Sequence, residues 1–101
     1  MENNNEVIRV RLPKEGEVLG VVEQLLGHAR MRVKCFDGVT RLCRVPGKYL
    51  RRLWIRNGDL VLVKPWEIEK ERGDVIYKYS KTQVDWLSRK GYLKNEDIND
   101  I

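Results

Sequence analysis

The chain has 101 residues, 42% of them hydrophobic and 35% charged, with 20 Lys and Arg against 15 Asp and Glu for a net charge of +5. That is enough apolar sequence for one self-supporting domain and too much for a disordered chain. No 18-residue apolar run exists to cross a membrane, residues 1–6 are polar and unlike a signal or transit peptide, and two cysteines without metal-ligand spacing build neither a disulfide framework nor a metal site. The cytoplasm is the expected compartment, and the basic excess favours a polyanionic partner.

The charge is uneven. From position 30 to 64 the chain carries Arg30, Arg32, Lys34, Arg41, Arg44, Lys48, Arg51, Arg52, Arg56 and Lys64 against only Asp37 and Asp59, a local net of +8, while the remainder is mildly acidic at −3. A concentration of one sign over a third of the sequence is an electrostatic footprint for a polyanion.

Residues 1–6, with three asparagines in a row, read as a disordered tip, and residues 7–12 as a short strand or extended arm closed by Pro13. Residues 18–26 are rich in Val and Leu and predict a long strand, with Gly20 marking a bend or bulge. After the Gly27-His28 turn, residues 29–35 alternate: Ala29, Met31, Val33 and Cys35 on one face, Arg30, Arg32 and Lys34 on the other. Asp37-Gly38 is a strong hairpin signal. As a two-residue loop it sets Phe36 opposite Val39, Lys34 opposite Arg41, Arg32 opposite Cys43 and Cys35 opposite Thr40. Two cations face to face destabilise a sheet, and a bound polyanion would relieve that repulsion. The same register keeps Cys35 and Cys43 apart as free, packed thiols.

The third strand ends at Val45, and Pro46-Gly47 breaks the pattern. Residues 48–54 predict a short helical turn with Tyr49 or Leu50 and Leu53 inward and Lys48, Arg51 and Arg52 outward. A turn at Asn57-Gly58-Asp59 precedes the apolar run 60–63, a fully buried strand. A charged loop over residues 67–71 leads to a last strand, 75–79. Residues 80–90 change period and predict a short helix, with Thr82 and Asp85 as a weak capping pair and Gly91 as its stop. Residues 95–101 read as an acidic, flexible tail.

The predicted fold is therefore all-β: a five-stranded OB-fold barrel with a short helical turn between strands 3 and 4 and a short C-terminal helix. Its expected divisions are a flexible arm (1–15), an RNA-binding barrel (16–80), a helix packed on the barrel (81–91) and a tail (92–101). Oligonucleotides commonly bind the strand 2–3 face of such barrels, and those strands carry Arg30, Arg32, Lys34 and Arg41. Catalytic chemistry is missing. His28 is the only histidine, there is no phosphate-binding glycine loop, and Glu67, Glu69 and Glu71 lie among cations. The expectation is a binding protein with no cofactor and no metal. An exposed aromatic ring would add base stacking. Trp54, flanked by Arg51, Arg52 and Arg56, suits either anchoring or RNA contact, whereas Trp66 and Trp86 suit packing.

The stretch Cys35-Phe36-Asp37-Gly38-Val39-Thr40-Arg41-Leu42-Cys43-Arg44-Val45-Pro46-Gly47-Lys48 resembles the archaeal and eukaryotic translation initiation factor 1A family. Arg51-Arg52-Leu53-Trp54-Ile55-Arg56 and Gly58-Asp59-Leu60-Val61-Leu62-Val63 continue the likeness, which extends to bacterial initiation factor one at Gly47-Lys48 and Gly58-Asp59. The short N-terminus, without a long basic tail, looks archaeal. The resemblance implies a non-enzymatic, monomeric OB-fold factor that occupies the aminoacyl-tRNA site of the small ribosomal subunit through ribosomal RNA and helps place initiator tRNA in the adjacent site. Arg30, Arg32, Lys34, Arg41, Arg44, Lys48, Arg51, Arg52, Arg56 and Lys64 would meet RNA phosphates, and Trp54 or the Gly47-Lys48 loop a base. Ile98 and Ile101 in the tail would dock on the subunit-joining GTPase factor. The competing expectation is a generic single-stranded RNA-binding or RNA-chaperone OB-fold protein.

Overall fold

A computed structural model describes residues 9–93. Five strands, β1 (Val18–Gly27), β2 (Arg30–Cys35), β3 (Thr40–Arg44), β4 (Leu60–Pro65) and β5 (Arg72–Lys78), close into a barrel in the order β1-β2-β3-β5-β4, with β3 and β5 parallel and every other neighbouring pair antiparallel. A 3-10 turn, Gly47–Tyr49, lies between β3 and β4, and helix α1 (Lys81–Arg89) follows β5. This is the OB-fold architecture expected from the strand spacing.

Two apolar layers share β4. Val61 and Val63 point into the barrel with Val22, Met31, Val33, Cys43 and Val75. Leu60 and Leu62 point outward and are covered by Leu87 of α1, together with Leu19, Val21, Tyr79 and Leu93. Both faces of β4 are thus buried, and the strand reads as an unbroken apolar run rather than an alternation. The helix begins at Ser80 in a reciprocal capping box with Gln83, not at the Thr82–Asp85 pair expected from sequence. Ser80 wins because its extended backbone lets its hydroxyl accept from Gln83 N while Gln83 Oε1 accepts from Ser80 N.

Gly20 is a close-approach site. β1 pairs there with β2 and β4 at once, Gly20 opposite Cys35 on one side and Val61 on the other. A Cβ at this position would sit 2.6 Å from Val33 Cγ1. The register irregularity expected there is found instead further along β1, between Val22 and Gln24 and again between Leu25 and Gly27.

The β2–β3 register differs from expectation by one residue. Lys34 lies opposite Thr40, Val33 opposite Arg41 and Arg30 opposite Arg44. The loop has three residues, Phe36, Asp37 and Gly38, with Cys35 and Val39 as its closing pair. Gly38 takes φ +90°, and the Asp37 carboxylate accepts from Val39 N at 3.2 Å. That is the three-residue hairpin built on a turn followed by a left-handed residue, which an Asp-Gly pair serves as well as the two-residue form. The slip turns Arg41 and Cys43 to the inner face.

Residues 9–12 form no strand. They lie along the barrel and helix, where Gln83 Nε2 donates to Arg9 O and the Tyr79 hydroxyl donates to Arg11 O. The expected tip at 1–6 and the tail at 95–101 fall outside the described residues. At the other end Tyr92 stacks on Trp86 and Leu93 is buried in the outer layer.

Candidate nucleic-acid interface

The coil from Pro46 to Asp59 spans one open end of the barrel. Three side chains anchor it: Tyr49, Leu53 and Ile55 pack against the barrel interior. Its backbone is tied by Leu53 N to Tyr49 O (3.0 Å) and Gly58 N to Val22 O (2.8 Å), and by Asp59, whose carboxylate accepts from Arg56 N at 2.8 Å. With Tyr49, Leu53 and Ile55 turned in, the cations between and beside them turn out. Lys48, Arg51, Arg52 and Arg56 are exposed, and Trp54 is 78% exposed, with the Lys78 ammonium donating to its carbonyl oxygen. Trp54 therefore does not anchor the coil. Its indole is presented to solvent between cations, an arrangement suited to stacking on a base.

The outer face of β2 and β3 adds Arg30, Arg32 and Lys34, all exposed. Gln24 of β1 accepts from Arg32 Nη1 at 2.8 Å and steadies that side chain against the strand. Between this face and the coil, Leu25, Ala29, Arg30, Leu50, Leu53 and Ile55 line an open cavity of about 220 Å³. Leu25 and Leu50 are 43% and 49% exposed. Sequence reasoning missed this apolar slot, because its walls come from β1, β2 and the coil; the only local signal was Leu50 placed beside the anchors Tyr49 and Leu53. A slot of this size beside guanidinium groups can hold a flat apolar group whose linker is anionic.

Two expected contact residues, Arg41 and Lys64, lie elsewhere, and a third, Arg44, stands beside Arg30 on the outer face but is already paired. Arg41 is 5% exposed, and its guanidinium makes two hydrogen bonds to the Asp37 carboxylate, at 3.0 and 2.9 Å, and one from Nε to Lys70 O at 2.7 Å. This pairing holds the Asp37 carboxyl below the usual range and the Arg41 pKa above its own. Arg41 is a clasp between the β2–β3 and β4–β5 loops, a consequence of the one-residue slip, and the facing of Lys34 by Arg41 does not occur. The like-charged cross-strand pair is Arg30 with Arg44 instead, and Asp74 neutralises Arg44 at 3.0 Å. Lys64 is exposed, opposite Asp74 at the far end of β4.

Cys35 and Cys43 are free and buried; desolvation raises the Cys35 thiol and pushes Cys43 up to about 12, so neither is a nucleophile at neutral pH. Among the described residues no group of three or more His, Cys, Asp or Glu is arranged to hold a metal ion, and no helix is long and apolar enough to cross a membrane.

A model of the family described as "Translation initiation factor 1A / IF-1" matches residues 8–100. The chain is 60% identical over 85 residues to translation initiation factor 1A of Methanopyrus kandleri, covering 84% of this chain and 77% of that one. It is 52% identical over 96 residues to the factor of the same name from Archaeoglobus fulgidus, covering 93% and 99%. Among solved structures, the bacterial translation initiation factor one from the Wolbachia endosymbiont of Brugia malayi superposes with a TM-score of 0.52 at 33% identity, over 71% of this chain and 86% of that one. The exposed cations and tryptophan lie on the scaffold these proteins share, with binding rather than catalysis as the chemistry. The chain belongs to the translation initiation factor 1A family, whose members act in protein synthesis as non-enzymatic, ribosome-binding factors.

Proposed function

We propose that this factor seats its basic end and β2–β3 face on RNA of the small ribosomal subunit at the aminoacyl-tRNA site, and so helps place initiator tRNA in the neighbouring site. The observation that carries the reading is the coil 46–59. Its inward anchors Tyr49, Leu53 and Ile55 leave Lys48, Arg51, Arg52, Trp54 and Arg56 all exposed within one short segment. Phosphate contacts from Arg30, Arg32, Lys34 and the coil cations would fix position. Trp54 and the apolar slot beside Arg30 would take unstacked bases, which is how single-stranded and looped RNA is read. Arg44 contributes only by exchanging Asp74 for phosphate. The working compartment is the cytoplasm, and Ile98 and Ile101 offer two apolar side chains among acids for the subunit-joining GTPase.

Co-sedimentation with purified small subunits tests this. The double substitution Arg51→Glu and Arg52→Glu is expected to abolish pelleting with the fold intact, and Trp54→Ala to weaken it about ten-fold or more. Wild-type pelleting by both variants would refute the assignment, and equal affinity for large subunits would establish the generic RNA-binding reading instead.

A further inference from the structure

The coil that carries Trp54 is tied down by a cation from outside the basic stretch. Lys78 is the last residue of β5, and its ammonium reaches two places on the coil at once. It donates to Trp54 O and lies 3.3 Å from Asp59 Oδ2. The same carboxylate oxygen accepts from Arg56 N at 2.8 Å, and Asp59 N donates back to Arg56 O at 3.1 Å. One cation and one carboxylate therefore hold positions 54, 56 and 59 together. The frame beneath them is backbone: Tyr79 N donates to Leu60 O and Val22 N to Asp59 O, each at 3.0 Å.

Lys78 differs in kind from the exposed coil cations. Its side chain and that of Asp59 are only 29% and 23% exposed, and a carboxylate at ion-pair distance offsets its attraction for phosphate. What it controls is backbone direction. Leu53 and Ile55 pack against the barrel and fix the chain on either side of Trp54. They leave the peptide plane between Trp54 and Ile55 to turn about one soft dihedral at each residue. The bond from Lys78 to Trp54 O fixes that plane, and with it the direction in which the indole leaves the coil. Ordering a side chain and its loop on binding costs affinity, and a conformation set in advance avoids that cost.

We infer that Lys78 is a positioning residue for RNA binding: it holds the arc from Trp54 to Asp59 from the inside, so that the Trp54 indole is presented in a pre-set direction, and does not itself meet phosphate. The inference rests on the proposed seating of this end on small-subunit RNA. The two can fail separately.

Lys78→Met in the full chain keeps an unbranched side chain and removes the ammonium. On purified small subunits it should weaken binding roughly two- to ten-fold and leave the slope of log K against log salt unchanged. In a Trp54→Ala background the same substitution should cost less than about two-fold, because both changes act through one contact. Fluorine NMR of the chain labelled with 5-fluorotryptophan reads the cause without RNA. With the Trp54 resonance assigned by its loss in Trp54→Phe, Lys78→Met should move that resonance and leave those of Trp66 and Trp86 in place. Four results would each overturn the inference and leave the proposed function standing: wild-type affinity of Lys78→Met, an equal loss in both backgrounds, a slope flattened by about 0.7 or more, which would make Lys78 a phosphate contact, or movement of all three resonances, which would make it a general support of the barrel. Wild-type binding by Trp54→Ala and by the Arg51→Glu, Arg52→Glu pair refutes the seating, and the inference with it.

Discussion

Gly20→Ala probes the closure of the barrel on which the RNA-facing surface depends. Two opposed effects meet at this position. Glycine inside a strand costs about 0.5–1 kcal/mol relative to alanine, so the substitution gains that much from the unfolded chain. Against it, the new Cβ would lie 2.6 Å from Val33 Cγ1, 3.0 Å from Lys34 O and 3.2 Å from Cys35 Cα. Carbon atoms in good contact sit about 3.5–4.0 Å apart, so the first overlap approaches 1 Å. Val33 is fully buried and β-branched, with one strongly preferred rotamer, and the other two atoms are backbone of the strand paired to Gly20. No flexible side chain can yield, so β2 itself must shift. Overpacking of this kind costs typically about 1–3 kcal/mol or more, and the net expectation is a loss of about 2 kcal/mol. For a domain of this length that is a fall in Tm of roughly 10 °C. Urea unfolding followed by tryptophan fluorescence measures it, with Gly47→Ala as the control, because nothing lies within 4 Å of a Cβ there. The control should be neutral or slightly stabilised. A Gly20→Ala protein as stable as wild type would show that β1 does not need to approach both neighbours this closely.

The Arg41 clasp predicts a split between stability and RNA binding. Arg41→Met should cost about 2 kcal/mol, below the range for a fully buried pair because Asp37 is 40% exposed, and should leave subunit binding per folded molecule unchanged. Because Asp37 is held below its ordinary value of 3.8 by Arg41, the clasp stabilises above that pH and is lost as the pH falls through the depressed folded value. The stability gap between wild type and Arg41→Met, measured by denaturant titration, should therefore be full at pH 7 and close progressively below about pH 4; a gap independent of pH would contradict the pairing. Cys35 and Cys43 should resist thiol reagents at pH 8 in native buffer and react together on unfolding; rapid native labelling would place at least one outside the core.

Much of the scaffold was legible because it depends on local pattern. The alternation of β2 is written residue by residue, and Gly or Pro marks the ends of most strands. The outward turn of Trp54 was also open to reading, since Leu53 and Ile55 on either side are natural anchors. What local pattern could not supply was long-range pairing. Asp37-Gly38 fits two loop lengths, and the choice between them is fixed by Arg41 reaching Asp37 and Lys70, the latter 29 residues away in the chain. That choice moves Arg41 from the outer face to the inner one. Likewise Asp74 neutralises Arg44 from 30 positions away. The total of basic residues in the window was right as arithmetic, but only three-dimensional pairing separates the cations presented to solvent from those engaged by the protein's own carboxylates.

The salt dependence of binding to small-subunit RNA tests that separation most directly. Each phosphate that a substitution leaves without its cation should flatten the slope of log K against log salt by about 0.7–0.9. Arg51→Ala with Arg52→Ala is predicted to reduce the slope by roughly 1.5 on that basis, and Arg41→Met to leave it unchanged. Equal slopes for the wild type and the double variant, or a flattening by Arg41→Met as large as that from one coil arginine, would contradict the claim that the coil over the barrel end, and not the buried clasp, carries the contact with RNA.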